Sequence, residues 1–189
     1  MEHVVVSLEP DIYFHQRFPV DYFEKRSTEA GITFFVAHNK DELLENIAEA
    51  EIFYGFRLHS EAFKKATRLS WIHAPSAGVK GLMTPEVVAS DIPISSSGGT
   101  MAPEVADHTM SLLLAFARGM DLAVESKQQR NWELMWNSRP LFGLNELTMG
   151  ILGYGKIGNA VARRAKAFDM RVIGICKTEK PTDGYADCI

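Results

Sequence analysis

Residues 147–158 read Leu-Thr-Met-Gly-Ile-Leu-Gly-Tyr-Gly-Lys-Ile-Gly, a short apolar run that passes into a Gly-x-Gly-x-x-Gly turn. When a strand runs into a helix around a dinucleotide, glycines at this spacing have separate duties. Gly153 permits the tight turn out of the strand, Gly155 lets the backbone approach a pyrophosphate, and Gly158 lets the helix pack closely on the strand. The start of that helix then offers N–H groups and a partial positive charge to the phosphates. Similar glycine patterns also occur in turns that bind nothing. Here the flanks meet the context that the motif needs: a strand-like run precedes it, and Ile157, Ala160, Val161 and Ala165 continue an apolar helical face after it. A second strand is predicted at Met170–Ile175. Dinucleotide binding is the reading carried forward, with a purely structural turn as the alternative. The cofactor contacts it implies are Gly153, Tyr154, Gly155, Lys156, Ile157 and Gly158.

The end of the second strand bears on which cofactor is bound. An acid there would accept hydrogen bonds from the ribose hydroxyls of NAD and repel the 2′-phosphate of NADP. The sequence has Ile175-Cys176-Lys177-Thr178 and no acid. Cys176, Lys177 and Thr178, with Lys180 behind them, therefore favour NADP over NAD, unless they are solvent-facing loop residues that discriminate nothing. About thirty residues follow the glycines, room for one helix and one more strand. A whole dinucleotide domain needs several further strands. The cofactor site is thus expected to be incomplete within the chain, and its binding weak.

Upstream, short apolar runs alternate with helix-compatible stretches. Val4–Leu8, Ile32–Val36, Ile52–Phe56, Trp71–Ala74 and Ile92–Ser95 read as strands, and Lys40–Ala50 and Ser60–Ala66 as helices between them. That alternation predicts an α/β unit with a mostly parallel sheet. Ser95-Ser96-Ser97-Gly98-Gly99-Thr100 is a turn-rich break, and the domain boundary is placed there, giving domains 1–100 and 101–189. After it, Pro103 suits a first helical turn. Val105, Leu112, Leu113, Phe116, Met120 and Ala123 keep a helical period, predicting one long helix with a wide apolar face. Gln128–Phe142, with Trp132, Trp136 and Pro140, reads as an irregular arm.

Net charge is −4, from 20 basic and 24 acidic residues spread along the chain, which argues against nucleic acid as a partner. No apolar run is long enough for a membrane span, and no signal-peptide pattern opens the chain, so a cytoplasmic protein is expected. Cys176 and Cys188 do not form a disulfide framework or a metal-site pattern.

Three segments in register resemble the D-isomer-specific 2-hydroxyacid dehydrogenases: Trp71-Ile72-His73-Ala74-Pro75-Ser76-Ala77-Gly78-Val79, then Pro103-Glu104-Val105-Ala106-Asp107-His108-Thr109, then Leu147 through the glycines to Val172. The resemblance implies a flavodoxin-like substrate domain followed by the first βαβ unit of an NAD(P)-binding Rossmann domain. It implies that Ala77, Gly78 and Val79 face the carboxylate of a small 2-keto or 2-hydroxy acid, and that Thr100 lies near the nicotinamide end of NAD or NADP. It also implies a homodimer formed through the long helix and the arm. The family's catalytic Arg, and its His paired with an acid, belong to the later half of the dinucleotide domain and map onto none of these 189 residues. His73 and His108 are read as packing or surface residues, and Asp107, where the family often has Glu, as structural.

The expected function is therefore that of a truncated member of this family. The parent reaction would be NAD(P)H-dependent interconversion of a 2-keto acid and a D-2-hydroxy acid, with no catalytic residue assigned and little activity in the chain alone. The alternative is a non-catalytic assembly module that pairs with a full-length homologue or with a separate C-terminal piece. A gene remnant or cloning artefact without a role is the third possibility.

Overall fold

The structure, a computed structural model, describes residues 3–7, 19–178 and 181–188. The chain divides into two compact units, Met1–Gly98 and Gly99–Ile189.

The first unit alternates strand and helix: β1 (His3–Ser7), α1 (Val20–Ala30), β2 (Thr33–Ala37), α2 (Lys40–Asn46), β3 (Ile52–Gly55), α3 (Ser60–Lys65), β4 (Trp71–Ala74), α4 (Pro85–Val88) and β5 (Ile94–Ser96). All pairings are parallel and the sheet order is β2-β1-β3-β4-β5. This is the flavodoxin-like order of a doubly wound sheet. Parallel strands need cover on both faces, because their crossovers place helices there. Alternation along the strands supplies both faces. Val5, Phe53 and Ile72 join Leu43, Ile47, Leu58, Leu82 and Val87 in one core, while Val6 packs with Phe23, Phe34 and Tyr54 in another.

The strand predictions hold within a residue or two; Leu8, at the end of the first, lies outside the described residues. β5 begins after Pro93, which has no N–H to give a ladder, although its carbonyl accepts from Ile72 N–H at 3.0 Å. The helix expected over Lys40–Ala50 ends at Asn46 and tightens into a 3-10 turn at Ile47–Glu49. Its start is well fixed. Asn39 Oδ1 accepts from Glu42 N–H at 3.0 Å, and the Glu42 carboxylate accepts from His38 N–H at 2.8 Å.

The second unit comprises α5 (Ala102–Ala117), α6 (Met120–Gln129), α7 (Glu133–Asn137), β6 (Thr148–Leu152), α8 (Lys156–Lys166) and β7 (Arg171–Ile175). β6 and β7 pair in parallel, and a parallel bridge from Ile173 to Cys188 brings the chain back along the other edge of β7. Small residues let α5 and α8 approach: Ala106, Ala162 and Ala165 are buried together with Met110, Tyr154, Val161 and Val172. The single long helix predicted here is broken. Gly119, at φ +66°, separates α5 from α6. The carbonyl of Ala117, near the end of α5, accepts from Phe142 N–H at 3.1 Å, so the arm returns to the break. The arm also carries a short helix, α7, and is less irregular than its composition indicates.

Candidate cofactor-binding site

The three glycines of the turn can be sorted by what the fold itself demands of each. Gly153 has φ +94°, a conformation that costs an L-residue energy. At Gly158 a Cβ would lie 2.7 Å from the Gly153 carbonyl oxygen and 3.1 Å from Ile151, so close packing of α8 on β6 excludes it. Gly155 is different. Its φ is −98°, and a Cβ there would meet nothing within 4 Å. Neither backbone strain nor packing within the chain calls for glycine at 155, whereas the close approach of an outside group would.

The turn is anchored from below. Gly153 and Tyr154 both donate to the Ile175 carbonyl at 2.9 Å, and Gly155 N–H closes on the Gly153 carbonyl at 2.9 Å. Gly155 then caps α8 with no side-chain bond to its first N–H groups. Tyr154 presents no side chain to solvent: it is 1% exposed and packs over Gly174, where a Cβ would sit 2.5 Å from the ring. Its hydroxyl donates to Asp183 at 3.0 Å, and burial, reinforced by that bond, pushes the phenol pKa up to about 12. Ile157 and Lys156 begin α8, with Ile157 half exposed.

Cys176, Lys177 and Thr178 leave β7 directly beside this turn, since Ile175 carries the carbonyl that holds it. The Cys176 thiol donates to the Thr178 carbonyl at 2.9 Å, while Lys177 and Thr178 are exposed. Lys180 lies outside the described residues. Thr100 is exposed in the turn leading into α5. Its neighbour Gly99 has φ +99° and lies against the Lys156 side chain, so this turn and the start of α8 meet. A cavity of about 610 Å³ opens there, lined by Gly99, Pro103, Gly155, Lys156, Asn159 and Arg163 among others.

In the first unit, Ala77, Gly78 and Val79 form the loop after β4. Ser76 Oγ donates to the Gly78 carbonyl at 2.8 Å and holds the loop's shape. At Gly78, as at Gly155, a Cβ would meet nothing within 4 Å. His73 is built into the sheet: Nδ1 is 2.7 Å from Ser95 Oγ, Nε2 is 3.0 Å from Ser97 Oγ, and the ring stacks on Tyr54. A larger cavity of about 650 Å³ lies against this sheet face beside Phe23, Tyr54 and Trp71, away from the Ala77–Val79 loop.

Sequence reading alone missed Asn159 and Asp183. Asp183 lies 29 positions after the tyrosine it holds, and no spacing rule links them. Among the described residues no cluster of His, Cys, Asp and Glu could hold a metal, and no helix is long and apolar enough to cross a membrane.

Comparison with known proteins agrees with this geometry. Residues 110–188 match the family model described as D-isomer specific 2-hydroxyacid dehydrogenase, NAD binding domain. A glyoxylate reductase of Pyrococcus furiosus is 30% identical over 149 residues, 75% of this chain and 44% of that relative. Residues 110–188 belong to the D-isomer-specific 2-hydroxyacid dehydrogenase family. A hydroxypyruvate reductase of Thermotoga maritima is likewise 30% identical over 149 residues, covering 76% of this chain and 47% of its own length. The chain thus spans about half the length of such family relatives. Among solved structures, a family protein from Aeromonas salmonicida has a TM-score of 0.79 at 24% identity, with 99% of this chain and 57% of that one aligned, and shares the fold. The Thermus thermophilus protein TT0316 has a TM-score of 0.66 at 27% identity, covering all of this chain and 60% of its own.

Proposed function

We propose that the second unit holds the pyrophosphate of NAD or NADP at the start of α8, and that the first unit contributes the substrate side of a reductase for small 2-keto acids. The observation that carries this reading is Gly155. It is a glycine with ordinary backbone and open space in front, at the position where the motif brings a dinucleotide closest. Lys156, Ile157 and Gly158 would offer helix-terminal N–H groups to the phosphates. Lys177 and Thr178, with no acid beside them, favour the 2′-phosphate of NADP. Bound there, the nicotinamide would supply hydride to the keto carbon. The Ala77–Val79 loop, with no side chain at Gly78 to obstruct it, would present backbone donors to the carboxylate.

No side chain among the 189 residues is assigned to proton transfer or to gripping the carbonyl. Assayed by itself, this chain is therefore expected to bind cofactor weakly and turn over little. General acid–base help is typically worth about 10²–10⁴-fold in rate. Titration with NADPH and NADH, followed by reduced-nicotinamide fluorescence, tests the binding. Steady oxidation of either with glyoxylate, hydroxypyruvate or pyruvate would overturn the expectation of low turnover.

Assembly as a homodimer is proposed on a separate observation. Val105, Leu112, Phe116, Met120 and Val124 are between 39% and 59% exposed along α5 and α6, with Trp132 and Trp136 on the arm more exposed still. Large apolar side chains left this exposed over two neighbouring helices and the arm mark an interaction surface. Sedimentation of the chain as a concentration-independent monomer would refute it.

A further inference from the structure

We infer that Asp183 is a positioning residue for the phosphate-binding turn, a carboxylate clasp that sets the direction of Gly153–Gly158. Its part in cofactor binding rests on the function proposed above; its part in shaping the turn does not.

The clasp is built from four donors. Asp183 Oδ1 accepts from the Tyr154 hydroxyl at 3.0 Å, from Tyr185 N–H at 3.0 Å and from Ala186 N–H at 3.4 Å. Asp183 Oδ2 accepts from Asn159 Nδ2. Tyr154 stands between the first two glycines and Asn159 lies in the first turn of α8, so one carboxylate grips the phosphate-binding segment at both ends. The grip reaches the backbone because Tyr154 has little room to move. Its N–H is bound to Ile175, and its ring is enclosed over Gly174. A buried tyrosine needs a partner for its hydroxyl, and the position of that partner fixes where the ring ends. Through the ring it fixes the peptide planes on either side, which carry the turn.

A carboxylate beside a phosphate site would ordinarily repel the ligand. Here both oxygens are taken by donors within the chain, and Lys156 and Arg163 line the same cavity. Asp183 lines that cavity too, with its carboxylate already engaged by the turn it shapes. This separates it from the acid that the motif places at the end of the second strand, which the chain lacks at 176–178.

The test uses the 189-residue chain with Asp183→Ala, Asp183→Asn, Tyr154→Phe and the Tyr154→Phe/Asp183→Ala double variant. Amide hydrogen exchange is read residue by residue without ligand, and affinity is measured for ADP as the pyrophosphate probe and for adenosine as the control without phosphate. Asp183→Ala should quicken exchange at Gly153–Ile157 by about tenfold while leaving the strands of the first unit unchanged. Tyr154→Phe, which removes one of the four donors, should do the same to a smaller extent, and the double variant little more than Asp183→Ala, since the Tyr154 contact is already lost there. Asp183→Asn, which keeps one acceptor, should recover part of the effect. ADP affinity should fall by about tenfold, with adenosine little affected. Unchanged exchange at the turn in Asp183→Ala, or faster exchange there only together with the whole chain, overturns the clasp. If the turn responds but ADP binds neither the native chain nor the variants, the clasp stands and the dinucleotide reading falls.

Discussion

Arg164 Nε donates to an Asp107 carboxylate oxygen at 2.6 Å, joining α8, which follows the glycine turn, to the long helix α5. The arginine is mostly enclosed and the aspartate mostly exposed, at 19% and 70%. The hydrogen bond from Arg164 holds the Asp107 carboxyl below the usual carboxylate range. Because the folded pKa lies below the unfolded one, this contribution is complete above the ordinary aspartate value near 4 and is lost as pH falls through the depressed folded value. Asp107→Asn should lower the melting temperature by a few degrees at pH 7, an effect that shrinks in high salt. Below about pH 4 the native and variant melting curves should converge. Curves equally far apart at pH 7 and pH 3 would show that the pair does not act through charge.

Gly155 and Gly158 should differ in how a single added methyl affects stability. Gly158→Ala drives a Cβ against the Gly153 carbonyl and Ile151, and should destabilise the second unit by about 1–3 kcal/mol with cofactor affinity falling alongside. Gly155→Ala meets only open space, and should leave the unfolding midpoint within about 0.5 kcal/mol while weakening NADPH or NADH binding by tenfold or more. Urea unfolding and cofactor titration on both variants check this. If Gly155→Ala binds as tightly as the native chain, no ligand approaches the backbone there.

These two glycines also show how far the sequence carries. The strand–turn–helix at 147–166 is legible because spacing alone dictates it: an apolar run, then glycines, then a helical period. That the first sheet is parallel follows from strands alternating with helices; its strand order does not. The break at Gly119 is not legible in the same way, because apolar residues at 112, 113, 116, 120 and 123 keep a helical period straight through it. Left-handed Gly119 ends α5, and tertiary contacts hold the break in place: Phe142 N–H donates to the Ala117 carbonyl, and Leu141 fills the space beside Gly119. Asp183 is hidden for a similar reason. Its partners Tyr154 and Asn159 are distant in sequence, and only the fold brings them to one carboxylate.

Gly119→Ala should therefore destabilise the second unit without touching the glycine turn. Its φ of +66° disfavours any L-residue, and an added Cβ would lie 2.6 Å from the Leu141 side chain. A loss of about 1–2 kcal/mol in urea unfolding is expected, with cofactor affinity unchanged under conditions where the chain remains folded. A stabilised variant would mean that α5 and α6 had merged into the single helix that their sequence period describes.

Arg139 fastens the arm to this break. Its guanidinium donates to both Asp121 oxygens at 2.8 and 2.6 Å and to the Phe116 carbonyl at 3.0 Å, and it lies 4.4 Å above the Phe116 ring centroid. Hydrogen bonding from Arg139 draws the Asp121 pKa down to about 2. The folded value is the lower one, so the fastening is intact at neutral pH, begins to weaken below about pH 4 and is lost near pH 2. Asp121→Asn removes the charge at every pH and should release the arm already at pH 7. Trypsin should then cut after Arg130 several-fold faster than in the native chain, with the glycine turn still protected. Unchanged cleavage in Asp121→Asn would assign the arm's order to the Phe142–Ala117 hydrogen bond and the packing of Leu141 instead.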